Sequence, residues 1–322
     1  MYPIEEPWTN VLTDRAHKVS VLMPSFNYAR YLPQAIESVL SQSYADLELI
    51  ISDDCSTDGS REIADEWKRR DHRVVTVFHK ANRGVSAARN SALAVATGAF
   101  IALCDADDVW LSDKLRIQLE ILRSEPRVGV VHSDSVIIDG EGTPTGQRFS
   151  TLFHGRRQKC SGMIFDDLCL RNFVCNPTVI LRRECMELAG GFEERVKAVE
   201  DWFCWALIAK KYPFYYIDAP LVGYRIHGAN LSSKTSAMAR ARVMAISLLL
   251  AESSEIPSSI KAKMLYSMGM SHLEIGDCAG ARSSFLSALR EDVFSFRAWA
   301  RWAQAACGSL MRAERDTGAP RR

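Results

Sequence analysis

The sequence predicts an α/β fold, a mostly parallel sheet with helices on both faces, followed by a C-terminal α-helical extension. Three observations predict it. Between Val19 and Val131, short apolar runs alternate with segments whose apolar residues recur at helical spacing. Three of those runs end in polar or acidic segments, and open parallel sheets bind ligands at the carboxyl ends of their strands. Beyond Ser236 the strand-like runs stop and the composition turns helical.

Each element follows from its residues. Val19-Ser20-Val21-Leu22-Met23 reads as a strand stopped by Pro24, and Leu32, Ile36, Val39 and Leu40 then recur as a helix. Leu47-Glu48-Leu49-Ile50-Ile51 is the second strand, followed by an acidic turn and a helix that buries Ile63 and Trp67. Val74-Val75-Thr76-Val77-Phe78 is the third strand, and a small-residue helix runs from about Ser86 to Thr97. The fourth strand opens at Phe100, and a helix from near Ser112 carries Leu115, Leu119 and Leu122 on one face. Val128 to Val131 is a further strand. Asp139-Gly140 and Pro144-Thr145-Gly146 mark the turns of a hairpin, and Met163 to Asn172 is helix-like. The expected division is an N-terminal arm over 1–17, an α/β domain over 18–235 and a helical region over 236–322 with a frayed tail from Arg312. Within the last, Leu265, Met268, Gly269, His272, Gly276, Ala281, Phe285 and Ala288 resemble one tetratricopeptide-type hairpin, although its usual Trp, Leu, Tyr and terminal Pro are missing. One copy cannot bury its own face, so it packs on the first domain, on a partner protein or on a second subunit. An ordinary helical extension reads equally well.

Bulk properties narrow the function classes. The 322 residues are 47% hydrophobic and 25% charged, an ordinary globular composition. A net charge of +1 gives no bulk pull towards nucleic acid or anionic lipid. The start, Met1 to Pro7, lacks the apolar core of a signal peptide, and no apolar run reaches the roughly 18 residues of a membrane span. Nine scattered cysteines without CxxC spacing point to reduced thiols in the cytoplasm rather than a zinc site or a disulfide framework.

Four segments carry candidate chemistry. The fourth strand, Ala99 to Cys104, runs directly into Asp105-Ala106-Asp107-Asp108, three carboxylates within four residues. Like charges that close need neutralising. A solvated acidic loop is one reading; a hard divalent cation with its phosphate ligand is the other. After the second strand, Ser56, Thr57 and Asp58 suit helix capping, whereas Asp53 and Asp54 sit at a buried strand end where a carboxylate needs a partner such as a ring N–H or a ribose hydroxyl. Asn82-Arg83-Gly84 opens a helix and offers backbone N–H groups to an anion; Arg89 either adds charge beside a diphosphate or pairs with a nearby Asp. Glu200-Asp201 begins an aromatic helix, where two acids suit the helix dipole and one could serve as a general base. Arg225 and His227 follow an aromatic strand, and His227 is either a structural hydrogen bonder or a metal or phosphate contact.

Together these segments resemble the family-2 glycosyltransferases with the GT-A fold, over roughly Val19 to Ser232. The matching residues are Val19 to Asn27 with Tyr31-Leu32, Ser38 to Ser43, Asp53-Asp54-x-Ser56-x-Asp58 and Asn82-Arg83-Gly84. They continue through Ala88-Arg89-Asn90, Asp105 to Asp108, Gly190-Gly191-Phe192, Glu200-Asp201 and Tyr224-Arg225-x-His227. Each is weak alone; their order and spacing are specific. The departures are Cys55, where the family often has Gly, and the helical region after Ser236.

The resemblance implies a nucleotide-sugar donor, usually a UDP-sugar, and a divalent metal, Mn²⁺ or Mg²⁺. It implies that Pro24, Ser25, Asn27, Asp53 and Asp54 line the nucleoside pocket, and that Asp105 and Asp107 form the DxD pair meeting ribose and metal-bound diphosphate, with Ala106 between them and Asp108 adjacent. Asp201, with Glu200 as the alternative, is then the base of an inverting displacement. Arg83, Gly84 and Arg89 are expected on the donor phosphates, and Asp107, Asp108 and His227 on the metal. The acceptor implied is a glycan or lipid-linked glycan of surface polysaccharide assembly, contacted by Ser135 to Lys159 and the helical end, with peripheral attachment at the membrane. Two rival classes are a metal-dependent nucleotidyltransferase, which would need a Gly-rich triphosphate loop where Pro24 to Arg30 stands, and an inactive nucleotide-sugar binder.

Overall fold

The structure is a computed structural model and describes residues 17–154, 161–228 and 235–305. The expected arm before His17, the frayed tail and the end of the Ser135–Lys159 segment lie outside the described residues.

The first half forms as the periodicity predicts. β1 (Val19–Ser25) lies between β2 (Leu47–Asp53) and β4 (Phe100–Leu103), with β3 (Val74–Phe78) beyond β2, all parallel. β1, β2 and β4 are buried along their length because alternate side chains serve opposite cores. Val19, Val21 and Met23 share a core with Leu32, Ile36 and Val39 of α1 (Leu32–Leu40) and Leu115, Leu119 and Leu122 of α4 (Lys114–Ser124). Leu22 faces the other way, into the core that holds Ala92 of α3 (Val85–Val95) and Trp202 and Phe203 of α7 (Glu200–Ala209). α2 (Ser60–Arg70) has Glu62 in its first turn and Lys68, Arg69 and Arg70 in its last, matching the helix dipole; Ile63 and Trp67 are partly rather than fully buried.

The second half is less parallel than expected. The strand expected over Val128–Val131 is β6, Val130–Ile138, and β8 (Ile180–Arg182) inserts between β4 and β6 antiparallel to both. β9 (Phe214–Arg225) runs parallel to β6, β5 (Val109–Trp110) antiparallel to β9, and β7 (Pro144–Arg148) completes the expected hairpin with β6. The order is β3-β2-β1-β4-β8-β6-β9-β5, with β7 beside β6. A three-residue strand such as β8 is too short to show a period, and β9 slips register at Asp218-Ala219, which blurs its alternation. α5 (Phe165–Leu170) is shorter than the helix expected over Met163–Asn172, and α6 (Arg183–Ala189) follows β8 directly.

Ala241, Ala245, Ile246 and Leu249 of α8 (Thr235–Glu252) enter the same core as Trp205 of α7. α9 (Ser258–Glu274) and α10 (Cys278–Glu291) form a helical hairpin, and Gly269 seats against the Phe285 ring, where an added Cβ would approach to 2.5 Å. Residues 296–305 are helical and place Ala298, Trp302 and Ala305 on that hairpin. Of the three expectations for the helical end, packing on the preceding α/β part is the one the contacts display. Among the described residues, no helix is long and apolar enough to cross a membrane.

Strand register positions the site. Ser25 pairs with Asp53 and Asp53 with Phe78, so β1, β2 and β3 end level. The Cys104 N–H donates to the Leu22 carbonyl at 3.1 Å, so the chain after β4 leaves beside Pro24.

Candidate active site

A cavity of about 1260 Å³ opens at this edge of the sheet. Of the expected site residues, Pro24, Ser25, Asn27, Asp54, Arg83, Gly84, Arg89, Asp105, Ala106, Asp107, Asp108, Glu200 and Asp201 line it. Asp53 and His227 do not.

The loops after β1 and β2 are laced together. Asn27, at φ 60°, donates its N–H to Ser56 Oγ at 2.9 Å and accepts from the Thr57 N–H at 2.8 Å through Oδ1. Asp58 accepts from the Ala29 N–H at 2.8 Å and from the Ser60 N–H at 3.1 Å. The expected capping of α2 is therefore only partial: its N-cap position is Gly59, which has no side chain, and Ser56 and Thr57 hold the neighbouring loop instead.

Asp53 and Asp54 part company. Asp53 ends the strand ladder with its side chain turned inward, fully buried, and Oδ1 accepts from the Ser56 N–H at 2.9 Å. It organises the loop after β2 and is not among the residues that line the cavity. Asp54 reaches the cavity, and its carboxylate accepts from the N–H groups of Arg83 at 2.8 Å and Gly84 at 2.7 Å. The Arg83 and Gly84 N–H groups, expected beside the donor diphosphate, donate to the Asp54 carboxylate here. His79, which the sequence reading passed over, lies 2.7 Å from Asp54 through Nδ1 and 2.8 Å from Ser91 Oγ through Nε2. The position of His79 directly after β3, level with the two aspartates, was the available signal.

The acidic loop is neutralised largely by the chain itself. Arg89 pairs with Asp105 at 2.7 Å and with Glu200, so its structural reading holds and its guanidinium is spent on carboxylates. Asn176 Nδ2 stands 3.3 Å from both Asp105 oxygens. Asp107 Oδ2 meets His227 Nε2 at 2.9 Å, which brings His227 to the acidic loop although it is off the cavity wall. Asp108 accepts from the Arg225 N–H at 2.7 Å, and the buried Arg225 donates through Nε to the Asp107 carbonyl at 2.7 Å. Burial, followed by the charges of Asp107 and Asp105, holds the Asp108 carboxyl well above the usual range.

α7 presents its two acids differently. Glu200 is paired with Arg89, and both it and Asp201 line the cavity. Asp201 Oδ1 accepts from the Trp202 N–H at 2.7 Å, and Oδ2 accepts from Asn172 Nδ2 at 3.1 Å. Burial and the neighbouring Glu200 charge push the Asp201 carboxyl up to about 7, against the opposing pull of Arg89. The lining also includes Phe149, Phe153 and Tyr224, with Phe149 and Phe153 ring centroids 4.7 Å apart, and Met238, Arg240 and Met244 of α8. Phe149 and Phe153 of the Ser135–Lys159 segment and α8 of the helical end therefore both reach the cavity.

Among the described residues, no cluster of three or more His, Cys, Asp and Glu side chains is arranged to hold a metal unaided. Mg²⁺ and Mn²⁺ commonly take one or two carboxylates and complete their shell with phosphate and water. The acidic loop suits that pattern: its donors are hard oxygens, its acids crowd one another, and buried Asp108 Oδ2 has no hydrogen-bond partner among the described residues. Asp107 and Asp108, with His227 behind Asp107, fit such a cation.

Comparison with known proteins gives a consistent set of matches. The family model described as glycosyl transferase family 2 matches residues 20–187. TuaG of Bacillus subtilis (strain 168), a glycosyltransferase provisionally named for teichuronic acid biosynthesis, is 32% identical over 217 residues, 67% of this chain and 81% of that protein. Other relatives are longer, and the match spans about a third of some of them. Staphylococcus aureus TarS 1–349 in complex with UDP-GlcNAc superposes with a TM-score of 0.65 and 16% identity, covering 95% of this chain and 93% of that one. The Pyrobaculum calidifontis mannosyltransferase PcManGT, in complex with GDP-Man and Mn²⁺, gives 0.60 and 21% over 97% and 86%. These solved structures share the GT-A fold.

Proposed function

From the premise that this chain belongs to glycosyl transferase family 2 and is a glycosyltransferase, we propose that it moves a sugar from a UDP-sugar to an acceptor hydroxyl with inversion at the anomeric carbon. The observation that carries this reading is a single cavity with Asp105 and Asp107 on one side and a cavity-facing Asp201, poised near neutral pH, on another. The UDP-GlcNAc in TarS supports the donor class, the Mn²⁺ in PcManGT supports a divalent cation, and the name of TuaG supports an acceptor in surface polysaccharide assembly.

On this reading each residue of the site takes one part in the transfer. Pro24, Ser25, Asn27 and Asp54 form the nucleoside end, with Asp54 fixing the Arg83-Gly84 turn beside it. Asp105, held by Arg89 and Asn176, meets the ribose and diphosphate end. Asp107 and Asp108 would hold the divalent cation, which would supply Lewis-acid neutralisation of the charge on the departing diphosphate. Asp201 takes the proton from the acceptor hydroxyl as that oxygen attacks the anomeric carbon from the face opposite the diphosphate. Asn172 orients the Asp201 carboxylate. Holding both substrates in line supplies much of the remaining rate. The acceptor, a glycan or lipid-linked glycan, lies towards Phe149, Phe153 and α8.

The experiment is transfer by purified protein with a panel of UDP-sugars and Mn²⁺, read by product mass spectrometry. Sugar added to an acceptor, with free UDP released, is the expected result. Nucleotide rather than sugar on the acceptor, or no turnover with any donor, overturns it.

A further inference from the structure

A donor diphosphate brings negative charge into a cavity already lined by carboxylates, and most of the cations around it are spent. Arg89 holds Asp105 and Glu200, Arg83 lies 3.5 Å from Glu194, and Arg195 pairs with Glu193 at 2.7 Å. The Gly84 turn offers no substitute, since the Arg83 and Gly84 N–H groups both donate to Asp54. A carboxylate held in that turn repels a phosphate, so a diphosphate settles there only with a cation at hand. Lys197 and Arg240 also line the cavity, and neither is ion-paired among the described residues. Of these two, Lys197 stands at the Gly84 turn: a Cβ built on Gly84 would lie 3.8 Å from its Nζ.

The loop that carries Lys197 is fixed to α3, the helix that the Gly84 turn opens. Asn90 Nδ2 donates to the Phe192 carbonyl at 2.8 Å, and the Phe192 N–H donates back to Asn90 Oδ1 at 2.8 Å. Ser86 Oγ donates to the Val196 carbonyl at 3.3 Å. Val196 is buried and Lys197 exposed, so the chain is pinned immediately before the lysine. Ala198 immediately after it has φ 87°, a left-handed conformation that an alanine keeps only where its surroundings impose it. That turn lets one short stretch bury Val196, present Lys197 to the cavity and start α7 with Glu200 and Asp201.

We infer that Lys197 is a donor-binding residue whose ammonium takes the diphosphate of the nucleotide-sugar beside the Gly84 turn, in place of the turn's own N–H groups. This rests on the reading of the cavity as a nucleotide-sugar site. Lysine binds phosphate as a point charge on a flexible stem, which suits a group at the cavity edge. When the bond from the anomeric carbon to the diphosphate oxygen breaks, its electron pair leaves with the oxygen, and the ammonium meets part of that added charge.

The test is calorimetric titration of the full chain with UDP and with GDP in Mn²⁺, beside an NMR titration with uridine, which has no phosphate. Lys197→Ala removes one charge-assisted hydrogen bond and is expected to weaken UDP by about 10- to 100-fold, with uridine affinity and melting temperature as in wild type. Lys197→Arg keeps the cation and is expected to restore most of the UDP affinity. In transfer assays the loss should fall on the donor KM and leave the acceptor KM unchanged. UDP binding by Lys197→Ala at wild-type strength overturns the inference. So does an equal loss of uridine, which would mean a disturbed pocket, or a loss in Lys197→Arg as large as in Lys197→Ala. The donor reading is judged separately on the wild type. If it binds GDP and not UDP, the UDP assignment fails and the lysine is judged on GDP; if it binds neither, both fail. If it binds UDP and Lys197→Ala binds it equally, only this inference fails.

Discussion

Replacing Asp201 by Asn leaves the carboxamide within reach of Asn172 and the Trp202 N–H but removes the site that accepts a proton. Loss of general-base catalysis is worth about 10²- to 10⁴-fold, so transfer should fall by that factor while calorimetric binding of UDP with Mn²⁺ stays near wild type. The pH dependence has a definite sign. The carboxylate must be ionised to work and its pKa is raised to about 7, so kcat/KM should climb through neutral pH and fall below it. Asp54 predicts a different phenotype. It satisfies two backbone N–H groups and contacts His79, so Asp54→Asn should lose about 1–3 kcal/mol of stability in thermal melts and raise the donor KM. Adjacent aspartates of identical type were not separable in the sequence. Which of Asp53 and Asp54 turns outward depends on where the ladder with β3 stops, and that is a property of the neighbouring strand. Arg89 was equally open in the sequence, because the two acids that bind it are 16 and 111 positions away.

At the scale of elements, the parallel half was legible because each buried strand carries a mostly apolar run and each helix a stripe of Leu, Ile or Ala. β8 and β9 were not, since β8 is three residues long and β9 is broken where its register slips. One ionic tie spans this half. Glu48 of β2 accepts from Lys18 Nζ at 2.8 Å, Ser20 Oγ at 2.6 Å and the Thr97 N–H at 2.6 Å, which joins β1 and β2 to the turn before β4. Burial alone would raise its pKa, but these donors together bring it down to about 2 from the ordinary 4.5. A carboxyl depressed in the folded state contributes stability above its unfolded pKa, and the contribution is lost as pH falls from about 4.5 towards 2. Glu48→Gln should therefore cost up to about 3 kcal/mol at pH 7 and flatten the acid-unfolding curve over that window, which denaturant melts across pH would show.

Over the whole molecule, the helical end and the α/β part share a core through α8, and α8 walls the cavity with Met238, Arg240 and Met244. The sequence indicated a hairpin at Gly269 and Phe285 but not what it packs on, because α8 has no single apolar stripe: its buried Ala and Leu residues face several neighbours at once. Gly269→Val should force the Phe285 ring aside and cost about 1–3 kcal/mol, seen as a lower melting temperature. The joining of distant segments around one cavity is the claim on which the chemistry depends. It is tested most directly by a crystal structure of the chain with a UDP-sugar and Mn²⁺. The expected result is diphosphate and metal density against Asp105 and Asp107, the base near Asp54, and the anomeric carbon turned towards Asp201. Nucleotide density elsewhere, or an anomeric carbon facing away from Asp201, would contradict it.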